Sequence, residues 1–254
     1  MNREDYLELI GDWTDCNPKP IIMKHDDFMV VRDDLLHGGS KVRVADFLIK
    51  SNPDVEEWVY GGSPACGWGQ VALSILCKKY DKKLTLFMAN RKEENYTEPQ
   101  KIAISEGAII KWVNMGFLSH TMKKADLYVD EKPVYRQLVP FGIDHPTVIA
   151  SFIRVCENID YEPKEIWVAG GSGTLSRGLQ LGFPDSKHFI VSVGHELKPH
   201  ERGVATVYKH DLKFEKIPPE DELPPYPSVK NYDAKVWKYV KEYASKGAMI
   251  WNVA

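Results

Sequence analysis

The segment His37-Gly38-Gly39-Ser40-Lys41-Val42-Arg43 places one lysine beside two glycines at the start of a predicted helix. A predicted strand over 27–34 precedes the segment, and apolar residues at helical spacing follow it over 42–49. Paired glycines let the backbone approach a flat ligand closely, and a crowded ammonium has a lowered pKa, which suits an amine nucleophile. The segment therefore indicates a Schiff-base lysine, although a solvated lysine in a first helical turn fits these seven residues equally well.

Length and composition limit the kind of protein this is. A chain of 254 residues can form one large core or two lobes. Its formal net charge of -3, with 43% hydrophobic and 27% charged residues, argues against a generally basic nucleic-acid-binding surface. The four cysteines, Cys16, Cys66, Cys77 and Cys156, lack metal-ligand spacing, so we predict no metal site and expect a reducing environment. The acidic N-terminal residues and the lack of a long apolar run predict a cytoplasmic protein without a membrane segment.

Short apolar runs alternate with helical stretches along the chain, which is typical of a mostly parallel sheet covered on both faces. The predicted fold class is therefore α/β. Strands are predicted at 57–60, 84–88, 108–113, 165–169 and 189–193. Helices are predicted near 68–80, 98–106, 118–127, 144–159 and 174–182. The acidic, Pro-rich stretch over 217–227 is predicted to be an extended surface connection before the last helix.

A second chemical signal is the segment Gly170-Gly171-Ser172-Gly173-Thr174, which we call the glycine-rich turn. It follows a predicted strand and opens a predicted helix, so backbone N–H groups, the positive end of the helix and two hydroxyls would point to one spot. The turn lacks the lysine of a Walker A loop and the spacing of a dinucleotide-binding fingerprint. A phosphate site is favoured, and a plain strand-to-helix turn is the alternative.

Together these motifs resemble the fold type II pyridoxal-phosphate enzymes, most closely the branch of D-cysteine desulfhydrase and 1-aminocyclopropane-1-carboxylate deaminase. The resemblance runs through most of the chain, with four motifs in the same order. The GGNK-x-R lysine motif is matched at 38–43, the GG-x-QSN loop at 61–66, the GSGGT phosphate cup at 170–174 and a late tyrosine–acid step at 232–235.

The resemblance implies the architecture of the tryptophan synthase β-like fold, with two three-layer α/β/α lobes and mostly parallel sheets. The larger, cofactor-binding lobe is expected to contain 1–43 and 138–254, and the smaller lobe 44–137. Because members of this family usually dimerise, a homodimer is expected by resemblance alone.

The resemblance also assigns roles. Lys41 is expected to form the Schiff base with pyridoxal 5'-phosphate and to move the proton at the substrate's α carbon. Gly170, Gly171, Ser172, Gly173 and Thr174 are expected to hold the phosphate, and Cys66 aligns with a cofactor-binding position. Asp233 is expected to keep the pyridine nitrogen protonated, so that the ring stabilises a carbanion, with Tyr232 as a second catalytic candidate. Asp233 could instead cap the following helix, and Tyr232 could be a packing residue.

The chain departs from the family in the loop that would bind the substrate. Where the family has the serine and asparagine of QSN, this sequence has Ala65 and Cys66, so the usual clamp for the substrate carboxylate is missing. Trp68 could stack on a planar substrate or a nucleobase, although tryptophans more often serve packing. The candidate substrate contacts are Ser63, Ala65, Gly67 and Trp68, with His195 at the carboxyl edge of a predicted strand.

We therefore predict a pyridoxal-phosphate-dependent lyase or deaminase that acts at the α carbon of a small amino-acid-like substrate. The missing clamp and apparent trimming at 115–138 and 195–230 suggest a bulkier substrate. Because some bacteriophages build amino-acid-derived thymines with such enzymes, one alternative is decarboxylation of an amino-acid-modified thymine in DNA, in the host cytoplasm. Lysine pairs that could follow a DNA backbone are typical of solvated surface. A catalytically degenerate protein that binds the cofactor is a third hypothesis.

Overall fold

The computed structural model describes residues 1–254, which form two compact units. The first unit contains Met1–Val44 and Pro146–Ala254, and the second contains Ala45–His145. Residues 138–145 lie with the second unit, whereas the sequence analysis assigned them to the larger lobe. The two lobes expected from the sequence stay a prediction.

Strands and helices alternate along the chain. The strands are β1 (Ile22–His25), β2 (Phe28–Arg32), β3 (Glu57–Tyr60), β4 (Lys83–Ala89), β5 (Ile109–Val113), β6 (Arg136–Leu138), β7 (Glu165–Gly170), β8 (Lys187–Ser192), β9 (Thr206–Lys209) and β10 (Met249–Asn252). The helices are α1 (Arg3–Glu8), α2 (Ser40–Lys50), α3 (Gly69–Lys79), α4 (Glu98–Ser105), α5 (Leu118–Asp130), α6 (Pro146–Cys156), α7 (Thr174–Gly182), α8 (Pro199–Arg202) and α9 (Val236–Tyr243). None of these helices combines the length and apolar character that crossing a bilayer requires.

The first unit is built on a six-stranded sheet in the order β1-β2-β10-β7-β8-β9. Only β1 runs antiparallel to its neighbour. On one face, Trp237 of α9 belongs to the same buried cluster as Trp167 and Ile250 of the sheet. On the other face, Trp251 meets Phe152 of α6 edge-on, with ring centroids 6.3 Å apart. Both faces are therefore covered by helices, as expected for strands that are apolar throughout.

The second unit is built on a four-stranded parallel sheet in the order β5-β4-β3-β6. Adjacent residues of β4 point to opposite faces of this sheet. Phe87 faces α5 and shares a cluster with Ala125, whereas the sulfur of Met88 lies 3.3 Å from Nε2 of Gln100 on α4. This sheet is also covered on both faces, and the predicted α/β class with mostly parallel sheets is confirmed.

The predicted strands and helices are all present, with ends within three residues of their predicted positions. The sequence analysis missed β10, which lies between β2 and β7 and is buried along its whole length. Parallel strands bring their carboxyl ends to the same edge of a sheet. The turn that carries Lys41, the residues after β10 and the glycine-rich turn therefore follow three neighbouring strands at one edge.

The central position of β10 predicts a large stability cost for removing one of its core side chains. Ile250→Ala is expected to lower the free energy of unfolding by about 2–5 kcal/mol, because a buried side chain is replaced by a partial cavity. Ile217→Ala is the control, since that side chain is exposed and its loss is expected to change stability by less than about 0.5 kcal/mol. Equal effects of the two substitutions in urea unfolding would contradict this role of β10.

Candidate functional site

Lys41 is held by a turn that only glycine allows. Gly38 and Gly39 have φ values of 89° and 70°, a region that L side chains rarely adopt. A Cβ added to Gly39 would lie 2.3 Å from the carbonyl oxygen of Val253, so the chain approaches the end of β10 too closely for any side chain. The backbone then enters α2, whose second residue is Lys41.

The Lys41 amine is electrostatically unusual. Burial lowers its pKa from 10.5 to about 8, and the charge of Asp233 acts in the opposite direction. Its Nζ forms no hydrogen bond or ion pair within the protein. A substantial fraction of this amine is therefore neutral near pH 8, and its lone pair is available to a ligand.

Asp233 is a buried residue whose carboxylate charge acts on the pKa of Lys41. Burial raises its pKa from 3.8 to about 8, while backbone N–H groups of Val253 and Ala254 and the Lys41 ammonium act to lower it. Its Oδ1 atom is buried and has no hydrogen-bond partner. An unpartnered buried carboxyl oxygen is costly, and it is satisfied by a ligand that brings a donor.

Asp233 does not cap the helix that follows it, α9, which was the alternative role considered for it. Asp233 lies in a 3-10 turn, Asp233–Lys235, and the residue at the cap position of α9 is Lys235. Neither this turn nor α9 is capped by a side-chain hydrogen bond. The carboxyl group of Asp233 therefore does not cap α9.

The glycine-rich turn joins β7 to α7 and presents free donors. Gly173 occupies the cap position with φ of 74°. The backbone N–H groups of Ser172, Gly173 and Thr174 donate to no other group in the protein, and the hydroxyls of Ser172 and Thr174 lie 2.9 Å apart. With the positive end of α7 behind them, these groups form a site of the kind that binds phosphate.

Close approaches explain two of the glycines in this turn. A Cβ on Gly173 would lie 1.9 Å from the carbonyl oxygen of Glu201, and one on Gly170 would lie 2.2 Å from Cγ2 of Ile190. Neither neighbour can move far, because one is backbone and the other is a buried core side chain. The shape of the turn is therefore set by its surroundings in the first unit.

Tyr232 packs against the glycine-rich turn and the end of β7. Its hydroxyl donates to the carbonyl of Ala169, at 3.3 Å, and its ring lies against Phe214 with centroids 5.8 Å apart. A Cβ on Gly171 would be 3.3 Å from the Tyr232 hydroxyl. Burial raises the pKa of Tyr232, so the phenol stays neutral at physiological pH. These contacts make Tyr232 a packing residue next to the turn.

His195 lies near this site. Its Nε2 atom is 3.2 Å from Oε2 of Glu201, the residue whose backbone contacts Gly173. His195 also lines a cleft of about 350 Å³ formed where β8 and β9 end, together with residues 209–213. The first unit thus brings together Lys41, the glycine-rich turn, Tyr232 and Asp233, with His195 beside the turn.

The predicted substrate loop belongs to the second unit and is held by its own contacts. Gln70 donates from Nε2 to the carbonyl oxygens of Ala65 and Gly67, at 2.9 Å and 2.8 Å. A Cβ on Gly67 would lie 2.8 Å from the hydroxyl oxygen of Ser63. Cys66 and Trp68 are half-buried, and Trp68 occupies the cap position of α3. The loop is therefore tied to α3 by the hydrogen bonds of Gln70.

Residues Val253 and Ala254 contribute to the site and were missed by the sequence analysis. Their backbone groups contact both the Lys41 turn and Asp233. No sequence signal could have found them, because the contribution comes from the backbone and depends on where β10 inserts in the sheet.

No protein-family model and no curated protein matches this chain. Among solved structures the match is clear, and the fold is that of the fold type II pyridoxal-phosphate enzymes.

A homologue of ACC deaminase superposes with a TM-score of 0.82 at 14% identity, over 98% of this chain and 94% of that one. A pyridoxal 5'-phosphate-dependent aspartate racemase gives 0.67 at 10% identity, covering 99% and 94%. Diaminopropionate ammonia lyase from Escherichia coli gives 0.66 at 10% identity, covering 98% and 86%. At such identities the likeness establishes the fold, and the resemblance stated from the sequence is confirmed at that level.

The charge of Asp233 raises the pKa of Lys41, so removing that charge should lower it. In Asp233→Asn, half-maximal reductive methylation of Lys41 is expected at a lower pH than in the unmodified protein, where it is expected near pH 8. Peptide mass spectrometry of the cofactor-free protein measures this profile. Asp185→Asn, at an exposed position, is the control. A folded Asp233→Asn variant with an unchanged or raised Lys41 pKa would contradict the coupling.

Proposed function

We propose that this protein is a pyridoxal-phosphate-dependent enzyme of the lyase or deaminase type, acting at the α carbon of an amino-acid-like substrate. The observation that carries the proposal is the pairing of the half-buried Lys41, whose amine has a lowered pKa, with the buried carboxyl group of Asp233, whose Oδ1 has no partner. Perturbed pKa values on two such groups in one place are typical of catalytic sites.

The residues fit pyridoxal phosphate on three separate points. The free N–H groups of the glycine-rich turn suit its phosphate. The partly neutral Lys41 amine suits its aldehyde. The unpartnered Oδ1 of Asp233 suits the N–H of a protonated pyridine ring, which would supply the donor that the protein lacks. The three groups lie at the ends of neighbouring elements in the first unit, and each would otherwise be left unsatisfied.

When bound, the cofactor supplies an electron sink for a negative charge at the substrate's α carbon. Residues of the protein would bind the cofactor and move the proton. Lys41 would hold the aldehyde carbon of the cofactor and would take or return the proton at the substrate's α carbon. Asp233 would accept from the N–H of the protonated ring, and the glycine-rich turn would hold the phosphate. Tyr232, packed against Phe214 and hydrogen-bonded to Ala169, would support the turn.

The proposed lyase or deaminase activity is supported by the names of several proteins with a similar structure. The structural neighbours include proteins named as an ACC deaminase homologue, an ammonia lyase and a threonine deaminase. A small amino acid is the substrate class that such names indicate for those proteins. We propose the same class here, and a homodimer as the working assembly.

One observation favours a second candidate, decarboxylation of an amino acid carried on a thymine base in DNA. The loop that would clamp a free amino acid's carboxylate has the short, non-ionisable side chains of Ala65 and Cys66 at the key positions, and Trp68 beside them is half-exposed. A carboxylate that is not clamped and faces an aromatic surface is easier to lose. Ser63, buried and hydrogen-bonded to the carbonyl of Pro64, offers little compensation.

Cofactor capture tests the proposal directly. With added pyridoxal phosphate, the protein is expected to show the visible absorption of lysine-bound cofactor. Lys41→Ala is expected to abolish it, because the other lysine near Asp233, Lys235, donates its Nζ to the carbonyl oxygen of Lys213. Lys50→Ala is the matched control, since Lys50 is an exposed lysine on the same helix. Absence of the visible band in the unmodified protein, or its persistence in Lys41→Ala, would overturn the proposal.

Product analysis of the loaded protein separates the two candidate reactions. In heavy water, free amino acids are expected to exchange the α proton, because Lys41 acts at the α carbon. Those that carry a leaving group on the β carbon are expected to lose it together with the α proton, and hydrolysis of the resulting enamine then gives ammonia and a 2-oxo acid. Carbon dioxide release from oligonucleotides bearing an amino-acid-modified thymine, without turnover of free amino acids, would instead establish the second candidate. Cofactor capture with neither outcome over a broad substrate panel would favour a catalytically degenerate protein.

A further inference from the structure

Ser40, the residue before Lys41, is wholly buried and is held from three directions. Its hydroxyl donates to Oδ2 of Asp33 at 2.6 Å and accepts from Nε1 of Trp251 at 2.8 Å. Its backbone N–H donates to the carbonyl of Val253 at 2.9 Å. Every polar group of this residue except its carbonyl is therefore fixed by a segment outside α2.

Asp33 holds the chain on both sides of Lys41. Its carboxylate is wholly buried, and while Oδ2 accepts from Ser40, Oδ1 accepts from Nε of Arg43 at 2.9 Å. Arg43 is in turn paired with Asp15, at 2.8 Å, so the buried charges compensate one another. Residues 40 and 43 flank Lys41 in the first turn of α2, and one carboxylate ties both of them to the end of β2.

Trp251 joins this arrangement to the centre of the sheet. It is wholly buried on β10, and its one polar atom is the N–H that donates to Ser40. The next residues along the chain continue the connection, because Val253 accepts from Ser40 while Val253 and Ala254 act on Asp233 through their N–H groups. The four residues 251–254 at the end of β10 and just after it thus hydrogen-bond both to Ser40, which precedes Lys41, and to Asp233.

From these contacts we propose that Trp251 and Asp33, acting through Ser40, are positioning residues that hold the half-buried Lys41 in place in the first turn of α2. The inference deepens the proposed function and rests on it for the role of Lys41. The hydrogen bonds of Ser40, one of them from a side chain 211 residues away, keep α2 from rotating or fraying at its first turn, where helix ends are otherwise poorly held.

The proposal is tested in the cofactor-free protein by the pH profile of Lys41 reductive methylation. Trp251→Phe keeps the ring in the core and removes only the N–H, and Ser40→Ala removes both side-chain bonds. In each variant Lys41 is expected to be more exposed, so its pKa moves from about 8 toward 10.5 and its labelling at pH 8 falls about fivefold or more.

Trp58→Phe is the matched control, because Trp58 is equally buried on β3 and its indole N–H has no partner. It is expected to leave the Lys41 profile unchanged. Circular dichroism and thermal unfolding establish that each variant is folded, and Asp33→Asn replaces any variant that is not. A folded Trp251→Phe or Ser40→Ala variant with the Lys41 profile of the unmodified protein would overturn the proposal.

The outcome is separable from that of the proposed function. Labelling of Lys41 is measured without cofactor, so it reports positioning even if pyridoxal phosphate fails to bind. Failure of cofactor capture with an intact labelling difference removes the proposed function alone. Normal cofactor capture with no labelling difference removes the positioning role alone.

Discussion

The removal of two ionisable side chains from water, the half-buried Lys41 and the buried Asp233, is the constraint on which the rest of the site depends. Burial disfavours the charged form of each, lowering one pKa and raising the other until both lie near 8. Each charge partly stabilises the other, so the pair is less costly than either group alone. A fold that hides an amine and a carboxyl in this way keeps both able to exchange protons near neutral pH.

Such a pair has to be held by the surrounding structure, because side chains that lose hydration tend to move back to water. The protein does so with backbone and with neutral or compensated groups. Gly39 brings the Lys41 turn against Val253, and Asp33 with Arg43 ties down the first turn of α2. Within this pair, the buried Oδ1 of Asp233 has no hydrogen-bond partner inside the protein. It marks the direction from which a donor on a ligand is expected.

The parallel sheet of the first unit explains why these groups meet. Carboxyl ends of neighbouring parallel strands share an edge, and helices that follow them begin there with their positive ends. In the order β2-β10-β7, this edge carries in turn the Lys41 turn, the Asp233 contacts and the glycine-rich turn. Fourteen per cent identity to a structural neighbour is compatible with this arrangement, because it requires apolar strands and a few glycines and leaves most other positions free.

The sequence by itself determined the α/β class, the longer strands and helices, the Lys41 segment and the glycine-rich turn. These features are written in local patterns: apolar runs, helical spacing, and glycines at positions where a side chain would collide or φ is positive. The family resemblance also pointed to Asp233, with a helix cap as the less favoured alternative. The structure decided against the cap, because Lys235 occupies that position and the carboxyl group of Asp233 is buried.

Tertiary structure alone decided the place of β10 and the support of Lys41. Four residues, Met249–Asn252, give too short a pattern to distinguish a central strand from a chain end, and their pairing with β2 and β7 is non-local. Trp251 and Ser40 are 211 residues apart, and no spacing rule connects them. Their hydrogen bond exists because the sheet inserts β10 beside β2, which is a consequence of packing the whole unit and not of any segment within it.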